Sequence, residues 1–158
     1  MNNKILDYSF VQKVIYRKVR RNIACAEYDQ QWIPFNKKID FALNRLKQIP
    51  FSKLKVIISF WEEYEIIQKI LIRNQISNYS LIRNYKRGRK TPGLIEIYFY
   101  ECFDVNLIRT FIKKHYGYEL GKADYLNIDM CFIFENDKDV TICHLYDDRG
   151  FQIFYLNQ

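Results

Sequence analysis

Hydrophobic positions along this chain switch between a period near 3.6 and short apolar runs, the mark of helices interleaved with strands. Ile39, Ala42, Leu43 and Leu46 share one helical stripe after Asn36 and before Pro50, which predicts a helix capped by Asn36. Ile66, Ile67, Ile70 and Leu71 predict a second helix over Glu63–Arg73. Leu107, Ile108, Phe111 and Ile112 predict a third, capped by Asp104 and stopped at Gly117. Val11, Val14, Ile15 and Val19 fit helical spacing over residues 8–20, with a strand as the alternative. Lys55–Trp61 and Leu94–Glu101 are β-branched and aromatic runs of strand length, and Asn22–Tyr28 reads as a further strand. Nothing resembles a linker or a repeat, so residues 1–158 read as one domain.

The last thirty residues are the most regular. Met130–Glu135, Val140–Tyr146 and Phe151–Tyr155 form an antiparallel meander with turns at Asn136–Lys138 and Asp147–Gly150. A three-residue first loop pairs Phe134 with Val140, Phe132 with Ile142 and Met130 with His144. A four-residue second turn pairs Tyr146 with Phe151 and His144 with Ile153. Both registers place Phe132, Ile142, His144 and Ile153 on one buried face and set Cys131 opposite Cys143 on the other. The expected fold is α+β: a mainly antiparallel sheet of five or six strands, with three or four helices mostly on one face and a C-terminal β-meander.

This tail, from Asp129–Glu135 through His144-Leu-Tyr146-Asp147-Asp148-Arg149-Gly150 to Phe154, resembles the end of a small bacterial domain family of unknown function. Members of that family close with a hydrophobic strand, a His-x-Tyr-Asp-Asp-Arg-Gly signature and a final strand. Upstream, the resemblance extends loosely to the helix at 36–49, the strand at 54–61 and the helix containing Ile67–Leu71. Family members commonly carry a cysteine after the signature glycine, where this chain has Phe151, so a role needing that thiol does not transfer. The resemblance implies a fold and directs attention to residues 144–150. It implies no activity.

Composition narrows the classes. With 158 residues and 49% hydrophobic content the chain can bury a core without metal or disulfide, and it is not disordered. No apolar run approaches the ~18 residues that span a bilayer, and no apolar stretch of signal-peptide length precedes Asp7. Cys25, Cys102, Cys131 and Cys143 lack C-x-x-C spacing and sit in apolar surroundings, so they read as reduced thiols of a cytoplasmic protein with no zinc site. The net charge of +7 is uneven: residues 1–90 carry 19 Lys/Arg against 7 Asp/Glu, and residues 91–158 carry 6 against 11. Such asymmetry steers association.

Candidate chemistry is sparse. There is no G-x-G-x-x-G, Walker loop, G-x-S-x-G or H-E-x-x-H. Glu62, Glu63 and Glu65 suit a helix N-terminus, and His115 suits a helix C-terminus. His144 reads as a core histidine satisfied by a neighbouring acid or carbonyl; the adjacent Cys143 points to the opposite face, which argues against a dyad. Asp147, Asp148, Arg149 and Gly150 read first as a turn, with Asp capping backbone N–H groups. As a site, Tyr146, Asp147, Asp148 and Arg149 would form a projecting tip that docks a protein. A twin-Asp metal site lacks further oxygen donors. Two basic foci, Arg17, Arg20 and Arg21, and Arg83, Lys86, Arg87, Arg89 and Lys90 with Tyr79 and Tyr85 nearby, would neutralise phosphates and stack bases. The expectation is a non-enzymatic, cofactor-free protein-binding module, such as an immunity or antitoxin protein that caps a toxin. An RNA-binding protein using the basic residues is the alternative. Neither involves a membrane.

Overall fold

Each helix buries most of the stripe its spacing marks out, although Ile66 is 47% exposed and Val19 lies outside the described residues. The computed structural model describes residues 7–16, 23–121 and 125–157. Its elements in chain order are α1 (Tyr8–Ile15), β1 (Ala24–Asp29), α2 (Phe35–Lys47), β2 (Lys53–Phe60), α3 (Tyr64–Arg73), β3 (Tyr79–Arg83), β4 (Gly93–Tyr100), α4 (Val105–Glu119), β5 (Ile128–Asn136), β6 (Asp139–Asp147) and β7 (Gly150–Asn157). The seven strands form one sheet in the order β1-β7-β6-β5-β2-β4-β3, and every neighbouring pair is antiparallel. The fold is α+β.

Two apolar layers hold it together. Leu54, Val56, Ile58, Phe132, Phe134 and Ile153 face α2, α3 and α4. Ile57, Cys131, Ile133, Ile142 and Phe154 face the other way, against Val11, Val14 and Ile15 of α1. Only eight residues long, α1 is below the length at which a helix holds in water by itself, so this packing maintains it. Asp7 caps it, accepting the Phe10 N–H at 2.8 Å. Coverage of both faces explains why β5 is apolar at consecutive positions rather than alternate ones. Truncating a side chain such as Phe132 to Ala in this layer costs about 3–5 kcal/mol.

Several expectations change. The seventh strand is β3, which the residue pattern showed only as the flank of a basic loop; an edge strand with one half-covered face has little apolar periodicity. Asn36 does not cap α2: Pro34 holds that position and its carbonyl accepts the Lys38 N–H. Gly117 does not stop α4. The helix runs on to Glu119, and the glycine is there because a Cβ would collide with the Tyr125 ring.

The meander registers also shift. Asp137 adopts a positive φ of 46°, the first hairpin closes with Asn136 paired to Asp139, and Phe132 meets Cys143 rather than Ile142. In the second hairpin Asp147 pairs with Gly150, then an irregularity at Tyr146 sets Leu145 against Phe151. The buried row is therefore Phe132–Cys143–Ile153, while Ile142 and His144 lie on the α1 face and Cys131 sits opposite His144. Alternation could not reveal this, because β6 is apolar at both parities: Val140 and Ile142, Cys143 and Leu145.

Cys131 and Cys143 thus occupy opposite faces, and burial pushes both thiols up. Cys25 and Cys102 are exposed. A disulfide-exchange reagent should label those two rapidly in the native protein and reach the other two only on unfolding. Rapid native labelling of Cys131 or Cys143, mapped by mass spectrometry, would mean that one of the two layers does not cover the sheet.

Candidate protein-docking surface

The β6–β7 turn is the best-braced feature of the surface. Asp147 is buried, at 8% exposed. Its carboxylate accepts the Arg149 backbone N–H at 2.8 Å and, through the second oxygen, the Arg149 Nε and Nη2 donors at 2.8 and 2.5 Å. That hydrogen bonding raises the Arg149 pKa, so the guanidinium stays charged. Asp148 turns inward and pairs with Lys38 of α2, with Nζ to Oδ2 at 3.1 Å and both side chains largely covered. The Arg149 carbonyl accepts the Gln30 N–H at 2.5 Å. Gly150 lies so close to the Tyr28 carbonyl that a Cβ there would overlap it.

These bonds change the composition of the proposed tip. Asp147 and Asp148 are engaged internally and to different partners, so they form neither a free acidic apex nor a two-aspartate metal site. Arg149 and Tyr146 remain available, the former with a side chain 67% exposed and the latter 39% exposed. Burial and the Asp147 charge raise the Tyr146 pKa, keeping it a neutral donor.

The fold adds a residue that spacing gave no reason to choose. Trp32, 89% exposed, sits in the β1–α2 connection two residues beyond Gln30, which is tied to the turn. That connection is fastened where it leaves β1: Asp29 accepts the Gln31 N–H at 2.8 Å, and buried Gln30 donates to the Lys38 carbonyl at 3.3 Å. Beneath it, Tyr28 stacks on Phe151 at 4.9 Å, and Arg45 lies over the Tyr28 ring while donating to its hydroxyl. Buried Tyr116 of α4 completes this end. Desolvation raises its pKa well above the ordinary value, with smaller contributions from Cys143, Asp147 and Asp148. Lys38 and Gln30 gave no sequence signal, since both look like ordinary solvated positions.

The basic residues lie elsewhere. Arg17, Arg20 and Arg21 fall outside the described residues. Lys86, Arg87, Arg89 and Lys90 are exposed in the β3–β4 loop, beside the opposite edge of the sheet from β1. Arg83 donates to the Pro92 carbonyl at 2.9 Å. The nearby tyrosines are not free to stack on bases: Tyr85 meets Trp61 edge-on at 5.5 Å, and both Tyr85 and Tyr79 pack against the core.

One nitrogen of His144 is paired with an acid, its Nε2 lying 3.0 Å from Asp129 Oδ1, while its buried Nδ1 has no hydrogen-bond partner among the described residues. Cys131 faces it across the strand pair, and burial keeps that thiol protonated, which makes it a poor nucleophile. Among the described residues no group of three or more His, Cys, Asp or Glu is placed to hold a metal ion. No helix among them is long and apolar enough to cross a membrane. No protein-family model, curated protein or solved structure matches the chain.

Two stability tests follow. Lys38→Met leaves the Asp148 carboxylate largely covered without its cation and should cost about 2–3 kcal/mol in urea unfolding. A cycle with Asp148→Asn should show clear coupling, and additive losses would rule out the pair as a brace. Gly150→Ala should cost about 2 kcal/mol, because the backbone carbonyl it meets cannot move aside; an unchanged unfolding midpoint would contradict that close approach.

Proposed function

We propose that this chain is a protein-binding module that engages its partner through Trp32, Tyr146 and Arg149, and that it acts as an immunity or antitoxin protein by capping a toxin. The observation that carries this reading is an almost fully exposed tryptophan on a connection fastened where it leaves β1. Trp, Tyr and Arg dominate interface energetics, and here all three are offered from one braced end of the sheet. Burying an indole of roughly 200 Å² contributes about 5 kcal/mol before costs. Because the scaffold is already ordered, little of that is lost to ordering on binding.

The decisive measurement is co-expression of the chain with the product of an adjacent reading frame, followed by affinity capture and a growth-protection assay. Trp32→Ala should weaken capture by about 30-fold or more while leaving the thermal midpoint unchanged, since the side chain supports nothing beneath it. Arg149→Ala should weaken it further. If the variants bind and protect as well as the native chain, or the native chain does neither, the reading is wrong. The exposed Lys86, Arg87, Arg89 and Lys90 favour RNA as a second reading. RNA affinity that falls steeply between about 50 and 200 mM salt, and is lost in Arg87→Ala/Arg89→Ala, would replace the first.

A further inference from the structure

We propose that β1 is a strand-addition edge, on which a basic extended segment of the partner docks as an eighth strand. This rests on the protein-binding reading above and adds the mode of engagement. The two edges of the sheet differ. β3 is irregular between Leu81 and Arg83 and runs directly into the Lys/Arg loop, which are devices that deter strand pairing. β1 pairs with β7 without interruption from Ala24 to Asp29 and contains no proline, lysine or bulge.

Its open side can be read from one bond. The Gln30 N–H reaches the Arg149 carbonyl, which extends the ladder in which Tyr28 faces Phe151. In an antiparallel ladder alternate residues turn their backbone groups to the same neighbour. Residues 26, 28 and 30 therefore bond toward β7, and Glu27 and Asp29 direct N–H and C=O to the side on which no strand lies among the described residues.

Side chains select what pairs there. Glu27 and Asp29 are exposed, and neither has a cationic partner among the described residues: Glu27 accepts from the Gln152 amide and Asp29 from the Gln31 N–H. Lysine or arginine at alternate positions of an incoming strand would match them. A second copy of this chain would not, because the longest antiparallel register that joins the outward groups sets Glu27 against Glu27, and like charges directly opposite are destabilising. A segment running past Asp29 would then approach the connection that carries Trp32.

The test uses the full chain labelled with ¹⁵N and an end-blocked decapeptide of alternating lysine and valine at millimolar concentration. The Glu27 and Asp29 amides should shift and become protected from hydrogen exchange. Glu27→Pro removes the outward donor as well as the charge, without touching the β7 ladder, and should weaken binding by about tenfold or more, whereas Glu27→Thr removes the charge alone and should bind several-fold more tightly than Glu27→Pro. A peptide N-methylated at alternate residues keeps its charge, cannot pair, and should not bind. Unmoved amides, equal binding of the methylated peptide, or a β1-mediated homodimer in sedimentation would each overturn the proposal. Since Trp32→Ala is read on a different ligand, its effect can persist when this one fails.

Discussion

The ladder between β2 and β5 is the constraint on which the remainder depends. Eight residues of β2, Lys53–Phe60, pair in unbroken register with Ile128–Glu135, joining the first half of the chain to its C-terminal meander. Closing that long loop is entropically costly, and only burial on both faces offsets it. Val56 and Phe132 stand side by side under the three-helix layer, and Ile57 and Cys131 under α1. Once this ladder is set, β6 and β7 extend the sheet outward, and β1 has only one remaining edge on that side.

From that geometry the braced end follows. The β6–β7 turn meets the β1–α2 connection because β1 lies beside β7. Lys38 of α2 then reaches Asp148, and Gln30 reaches both α2 and the turn. Residues of the tail accordingly have separable duties: His144 with Asp129, Asp147 with its own turn, Asp148 with α2, and Gly150 beneath the Tyr28 carbonyl. What remains exposed at this end is Arg149, Tyr146 and a tryptophan more than a hundred residues earlier in the chain. Rigid support beneath exposed aromatic and guanidinium groups is the physical basis of a tight, low-entropy contact.

Among the described residues, two separate regions of opposite charge stand out. The cationic loop beside β3 and the acidic edge of β1 lie at opposite sides of the sheet, so the net charge describes neither one.

Helical stripes in α2, α3 and α4, the strand character of β2, β4 and β5, and the presence of a C-terminal meander were all legible from residue order, because each depends on local periodicity and capping. Asp104 caps α4 as its position indicates, accepting the Leu107 N–H. Register was not legible: β6 offers apolar residues at both parities, so a one-residue change at Asp137 or Tyr146 reverses faces without leaving a trace in the pattern. Nor was the composition of the surface. Whether Asp148 is a free acid or the partner of Lys38, and whether Trp32 is core or surface, depends on which distant elements are neighbours, and that is decided by burial of the whole sheet rather than by any segment of it.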